Sequence, residues 1–172
     1  MKPLTACSLL LLLATGLAFA QAPRTPPTPA RSINVNLKSI DGKILEMAKD
    51  FPEDLYSFRL KPEMRSFGEV LVHIVAGNIY AAKVGRGDTK AQWDELDAAK
   101  YKTKAEIVAL LEKNFADSES VAAGLGEEHF KSTLSPWLAV IEHNGEHYGL
   151  LVAYYRANGK VPPETRKANS GD

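Results

Sequence analysis

Apolar residues recur at helical spacing in four segments of the chain, whereas the strict alternation that marks half-buried strands is rare. The first segment spans about residues 33–49, and its apolar stripe consists of Leu37, Ile40, Ile44, Leu45 and Met47. Gly42 interrupts this stretch, and a loop punctuated by proline follows it. The pattern predicts an amphipathic helix with one face in the core.

The second segment begins at a capping box formed by Ser66 and Glu69, in which each side chain accepts a hydrogen bond from the backbone N–H of the other residue. It runs to Gly85 and is apolar nearly all round. A helix without a broad polar face is normally buried on most sides. We therefore expect this helix at the centre of the core, with a long connection after it.

The last two segments also have start signals. Thr103 and Glu106 form a second capping box at the start of the third segment, residues 103–123. Pro136 occupies the favoured first turn of the fourth segment, residues 135–158. Four helices with one long connection, between the second and the third, predict an all-α fold, namely an antiparallel four-helix bundle.

Residues 1–20 carry a different pattern. Their one charge is Lys2, and an apolar run and small residues follow, ending at Ala20 in an A-x-A arrangement. This predicts a signal peptide cleaved after Ala20 and a secreted or periplasmic protein. A lipid-modified Cys7 fits less well because the apolar run follows the cysteine. An uncleaved anchor fits less well because the run is shorter than the roughly 20 residues that span a bilayer.

Composition divides the rest of the chain. Residues 21–32 are rich in proline and predict an extended spacer, residues 33–164 hold the predicted bundle, and residues 165–172 form a polar tail. Cys7 is the only cysteine, so the mature chain has no thiol of its own. No stable membrane insertion is expected once the signal peptide has been removed.

Charge argues against a nucleic-acid partner. The chain has 21 Lys and Arg against 21 Asp and Glu, and removing Lys2 leaves 20 against 21. Proteins that bind nucleic acid through its phosphates usually carry a basic excess or a basic stripe. Neither is present here, so we expect no nucleic-acid partner.

His143 and His147 lie four residues apart in the fourth helix. At about 100° per residue they share one arc with apolar positions, while Glu146 faces the opposite side. Two buried imidazoles need partners, and one metal ion can satisfy both. The alternative is that both are hydrogen-bonded core histidines without a metal.

His73 adds a third imidazole, since it is the only polar residue between Val70 and Ala76 on the second helix. Three histidines from two helices match the open three-ligand geometry of catalytic zinc, although imidazole also suits nickel. A zincin motif is excluded because Glu146 stands just before the second histidine of the pair rather than just after the first.

Two segments together resemble the DinB-like superfamily of metal-binding four-helix bundles: "FPEDLYSFRLKPEMRSFGEVLVHIVAGN" and "IEHNGEHYGLLVAYYRANGKVPPE". The resemblance covers about residues 33–164. It implies that His73, His143 and His147 bind one divalent transition metal, zinc or nickel. It also leaves a homodimer open as the assembly, because bundles of this family often pair through helix faces.

The resemblance leaves the reaction open. Some relatives are thiol-dependent transferases or hydrolases, but most members are cytoplasmic, where small thiols are abundant, and an export signal weakens a thiol-transferase role. The first hypothesis is a metal-dependent hydrolase or thiol-type transferase for an unknown small molecule. The second is a non-catalytic metal- or ligand-binding bundle, and the third is a bundle with purely structural histidines.

Three further residues have weaker assignments. Asn78 and Tyr154 are expected to line a cavity near the metal, although Tyr154 also fits ordinary core packing. His129 precedes the last helix and is expected in a solvated loop. No residue is assigned as a general acid or base.

Overall fold

The computed structural model describes residues 26–171, and within this range the chain is helical without strands. The six helices are α1 (Pro29–Asp50), α2 (Phe67–Gly85), α3 (Lys104–Gly124), α4 (Glu127–Ser132), α5 (Ser135–Ala157) and α6 (Pro163–Ser170). Short 3₁₀ turns cover Glu53–Leu55 and Ala98–Lys100. The predicted all-α fold is confirmed. The predicted signal peptide and its cleavage site lie outside the described residues.

The four long helices form the core. Helices α1 and α2 each pack against both α3 and α5, so these four elements surround one apolar interior. Aromatic rings fill one part of that interior, where Phe51 stacks on Phe67 and Tyr155 tilts against Phe51. Trp137 closes the other part and is fully buried.

Helix α2 occupies the most buried position, as predicted. By length and composition it is apolar enough to cross a membrane, but 67% of its apolar window is buried within the protein. Its start is the predicted capping box: Ser66 accepts from the Glu69 backbone N–H, and the Glu69 side chain accepts from the Ser66 N–H. The corresponding pair Thr103 and Glu106 caps α3 in the same way.

Both ends of the helical domain differ from the expectation. Helix α1 begins at Pro29, inside the predicted spacer 21–32, because Thr28 caps it and a proline fits its first turn. The predicted polar tail 165–172 is largely helical, since α6 extends through it. Arg166 and Lys167 of α6 form ion pairs with Asp50 and Glu46 of α1, which hold the tail against α1.

Candidate metal centre

Three imidazole rings meet between α2 and α5. His73 comes from the middle of α2, and His143 and His147 lie one turn apart on α5, all three half-buried. One nitrogen from each ring lies within 4.8 Å of the other two, so the group can hold a metal ion. The Nε2 atoms of His73 and His143 are 3.1 Å apart. Nitrogens around tetrahedral zinc, with bonds of about 2.0–2.1 Å, are separated by about 3.3 Å, so this spacing fits an ion.

The connection between α2 and α3 orients the first of these rings. The Nδ1 atom of His73 lies 2.8 Å from the carboxylate of Glu95. A carboxylate on one ring nitrogen fixes the tautomer and leaves the other nitrogen free for a metal. The sequence did not indicate Glu95, because it lies in a connection without helical periodicity.

A buried amide orients the second ring. Asn144 is fully buried next to His143, and its Nδ2 group donates to Asp41 at 2.8 Å and to Asn78 at 2.9 Å. Both hydrogens of the amide are therefore used away from the histidine, and its Oδ1 atom faces His143 Nδ1 at 3.3 Å. An amide oxygen only accepts, so Nδ1 of His143 carries the hydrogen and Nε2 is left free.

Asn78 belongs to this buried network and does not line the cavity beside the histidines. Its Nδ2 group donates to Asp41 at 2.8 Å and to Ser118 at 2.9 Å. The side chains of Asp41, Asn78, Ser118 and Asn144 are all fully buried and come from α1, α2, α3 and α5. The network therefore ties the four long helices together at the level of the three-histidine cluster.

Tyr154 is a core residue, which is the second of the two roles expected for it. Its side chain is buried, and its ring packs edge-on against Phe58 and Phe67. The hydroxyl donates a hydrogen bond to the backbone carbonyl of Arg65. Tyr154 thus fixes the backbone just before α2 rather than lining the space around the histidines.

Burial favours the neutral imidazoles that a metal needs. It lowers the pKa of His143, and the nearby His73 lowers it further. The pKa of His147 falls to about 4, first because of burial and then because of the positive charges that His143, His73 and Arg65 can carry. Both rings of α5 are therefore uncharged at neutral pH, with a lone pair available for a metal.

An aromatic side chain covers one side of the centre. Trp93, from the connection after α2, contacts the His143 ring with centroids 4.9 Å apart and stacks on Tyr80 at 5.4 Å. Gly77 permits this contact, because a Cβ atom there would lie 2.5 Å from the Trp93 ring. Gly77 therefore serves close packing, whereas Gly145 faces open space.

The other side of the centre opens to a surface groove of about 450 Å³. His147 is the member of the three-histidine cluster that lies in its wall, so a small molecule in the groove would approach the cluster from the His147 side. The groove is lined by Glu63, Met64, Arg65, Val70, His147 and Leu150.

His129 and Glu146 stay apart from the three-histidine cluster. The expected solvated loop around His129 is instead the short helix α4, where the imidazole is half-buried with its ring edge-on to Phe130. Short polar sequences such as "GEEHFKST" can form a single helical stretch once an apolar anchor, here Phe130, is buried. Glu146 is exposed on α5, on the side away from the core.

The protein is therefore helical and carries a group of three histidines, His73, His143 and His147, that can bind a metal. Its sequence matches the profile of the DinB superfamily over residues 40–154. The chain therefore belongs to the DinB superfamily, which confirms the resemblance in the two quoted segments. A search of curated proteins finds no match to this chain.

Proposed function

We propose that the protein is an exported, metal-dependent hydrolase or thiol-type transferase that acts on a small molecule. The observation that carries the proposal is the convergence of three imidazoles beside an open groove. His73, His143 and His147 are the proposed ligands, and zinc or nickel is the proposed ion. The donor set fits because all three ligand atoms are imidazole nitrogens, which these two metals favour.

The protein side chains divide the work as follows. The histidines bind the ion, Glu95 and Asn144 orient two of the rings, and the Trp93 indole excludes water from one side. A divalent ion at this position supplies Lewis-acid chemistry, which lowers the pKa of a water molecule or thiol bound to it. The groove beside His147 admits the substrate.

A non-catalytic role in binding a metal or small ligand is the second candidate. One observation favours it. Within residues 26–171, Glu95 is the carboxylate that is hydrogen-bonded to one of the three imidazoles, and its partner is His73. A carboxylate in that role orients a ligand and is less free to act as a general base. Turnover that depends on the histidines would distinguish the enzyme from this alternative.

The proposal includes export and architecture. We propose that the signal peptide is removed after Ala20 and that the mature protein works outside the cytoplasm. We also propose that the long helices form an antiparallel four-helix bundle. A homodimer is one candidate assembly. Amino-terminal sequencing of secreted protein should begin at Gln21. A mature chain that still begins at Met1 would contradict export by cleavage.

Metal content is the decisive experiment for the site. We would measure bound metals by elemental mass spectrometry in the mature wild type, in His147→Ala and in the control His129→Ala, which changes the histidine outside the cluster. About one equivalent of zinc or nickel, retained in the control and lost in His147→Ala, would support the proposal. An unchanged metal content in His147→Ala would contradict it.

Catalysis needs its own measurement. Metal-loaded wild type would be screened against ester, amide and thiol-transfer substrates, with His147→Ala as the reference for background reaction. Turnover that disappears in the variant would support the enzyme. Metal binding without turnover on any of these substrate classes would favour the non-catalytic alternative.

A further inference from the structure

The groove beside His147 combines two opposite charges, those of Arg65 and Glu63, with an apolar wall. Its volume of about 450 Å³ falls in the range of small-molecule sites. Met64 and Leu150 supply most of the apolar surface, with the nearly buried Val70 beneath them, and Arg65 supplies a guanidinium next to it. The lining therefore suits a molecule with both an apolar and a charged part.

The Arg65 guanidinium has unused binding capacity. Within residues 26–171 it makes one ion pair, with Glu95 at 3.9 Å, and no hydrogen bond. Glu95 is already bound to His73 at the shorter distance of 2.8 Å. Since a guanidinium carries five N–H donors, most of the donors of Arg65 are available to a ligand.

The position of Arg65 is set by the core even though its side chain is exposed. Its backbone carbonyl accepts the hydrogen bond from the buried Tyr154 hydroxyl. The next residue, Ser66, is the cap of α2 and is held by Glu69. The backbone from which the guanidinium extends is thus fixed relative to His147.

We propose that this groove binds a small amphipathic carboxylate. Its carboxylate pairs with Arg65, its apolar part lies on Met64, Val70 and Leu150, and its reacting end is directed to the metal position at His147. This assignment names the substrate class of the proposed function and rests on it for the reacting end. The pairing with Arg65 needs no metal.

A carboxylate fits better than a phosphate monoester because of its lower charge. The guanidinium can form a bidentate pair with either anion, so the pairing geometry does not separate them. Glu63 lies in the same lining, so a bound anion meets a negative charge as well as the guanidinium. A singly charged anion therefore meets less repulsion than a phosphate monoester with two charges.

The test is calorimetric binding of octanoate, with octanamide and octyl phosphate as comparison probes, to metal-free and to zinc-loaded protein. The variants are Arg65→Gln, Arg65→Lys and the control Arg156→Gln, which changes an exposed arginine on α5 outside the groove lining. Circular dichroism checks that each variant is folded. Because Arg65 is exposed, all three variants are expected to fold.

The proposal expects octanoate to bind metal-free wild type and the control alike. Arg65→Gln should weaken binding about tenfold, as expected for the loss of a hydrogen bond to a charged group. The affinity of Arg65→Lys for octanoate should lie between those of wild type and Arg65→Gln, because lysine keeps the positive charge but lacks the planar guanidinium that pairs with both carboxylate oxygens. Octanamide and octyl phosphate should bind more weakly than octanoate.

Three results would overturn the proposed carboxylate site. Octanamide could bind as tightly as octanoate, or Arg65→Gln could bind octanoate as tightly as wild type does. Octanoate binding could also require zinc and be unaffected by the change at Arg65. The last result would place the carboxylate on the metal itself. Octanoate binding through Arg65 in a protein that takes up no metal would support the groove and refute the proposed metal function. The two failures are therefore distinguishable.

Discussion

The carboxylate of Glu95 lies 2.8 Å from Nδ1 of His73, which brings the connection between α2 and α3 into contact with the three-histidine cluster. The two residues are 22 positions apart in the sequence. The same connection carries Trp93, whose ring contacts His143. A segment that looks like an exposed linker thus orients one imidazole and covers another.

Glu95→Gln should weaken metal binding about 10- to 100-fold, because the ring of His73 loses the negative charge that fixes its tautomer and raises its basicity. Zinc affinity would be measured by competition with a chromophoric chelator. Asp94→Asn is the matched control, since Asp94 is the neighbouring acid and points to Lys83 at 3.7 Å. Equal affinities of the two variants would show that Glu95 has no part in orienting His73.

Asn144→Leu should also weaken metal binding, because His143 Nδ1 loses its acceptor and the ring loses its fixed tautomer. Asn78→Leu is the control. Both changes break the buried network and should cost about 1–3 kcal/mol in stability by leaving polar groups unpaired, but only Asn144 contacts His143.

The two variants would be compared in chelator competition and in the visible spectrum of the cobalt-substituted proteins, which reports ligand geometry. Urea unfolding would show that their losses of stability are similar. Asn144→Leu is expected to change both the affinity and the spectrum, and Asn78→Leu neither. Matching spectra in the two variants would mean that the network acts only on stability.

The histidine cluster was accessible from the sequence because polar residues stand out in an apolar helical stripe. His73, His143 and His147 each interrupt such a stripe, and helical spacing brings the last two onto one face. Asn78 was singled out from the sequence, but the buried amide of Asn144 carried the same signal and the sequence interpretation missed it. Asn144 lies four residues after the buried Val140 and seven before the buried Leu151.

Asp41 could have been found in the same way. It lies four residues after Leu37 and three before Ile44, both of which are buried on α1. Helical spacing therefore predicts that Asp41 is inside, but the stripe alone does not say which polar groups on other helices will meet it. Glu95 had no such signal, because a connection between helices has no period from which to predict a direction.

The start of α1 shows a different kind of error. Thr28 followed by Pro29 is a good start signal, with a capping side chain and a proline in the first turn. The proline content of residues 21–32 outweighed that local signal and predicted a spacer. Composition averaged over a window thus obscured a boundary that two adjacent residues define.

Gly77→Ala should destabilise the protein by about 1–3 kcal/mol, the usual cost of overpacking. The added Cβ would lie 2.5 Å from the Trp93 ring and 3.0 Å from Val140, so the indole must move away from His143. Gly42→Ala is the control, because nothing lies within 4 Å of a Cβ at that helical position, and it should stabilise by about 0.5–1 kcal/mol.

Urea unfolding of both variants, together with tryptophan fluorescence, would test this pair. The control should unfold at higher urea concentration than wild type, and Gly77→Ala at lower concentration with an altered Trp93 environment. If Gly77→Ala were as stable as wild type, the connection between α2 and α3 would be able to move without loss of stability. Trp93 would then not be held firmly over the histidine cluster.

The buried carboxyl of Asp41 should make stability depend on pH. Burial raises its pKa to about 8, although the amides of Asn144 and Asn78 act in the opposite direction. A folded-state pKa above the unfolded value of about 3.9 means that the native state binds a proton more tightly than the unfolded state. The contribution of Asp41 to stability is therefore complete below about pH 4 and is lost as the pH rises to about 8.

Comparison with Asp41→Asn isolates this effect, because the other titrating groups are common to both proteins. The free energy of unfolding would be measured in urea at intervals between pH 4 and pH 9. The difference, wild type minus variant, should fall steadily as the pH rises to about 8 and be constant above it. A difference that stays constant between about pH 5 and pH 9 would show instead that the two amide donors hold Asp41 ionised, with its pKa at or below that of the unfolded chain.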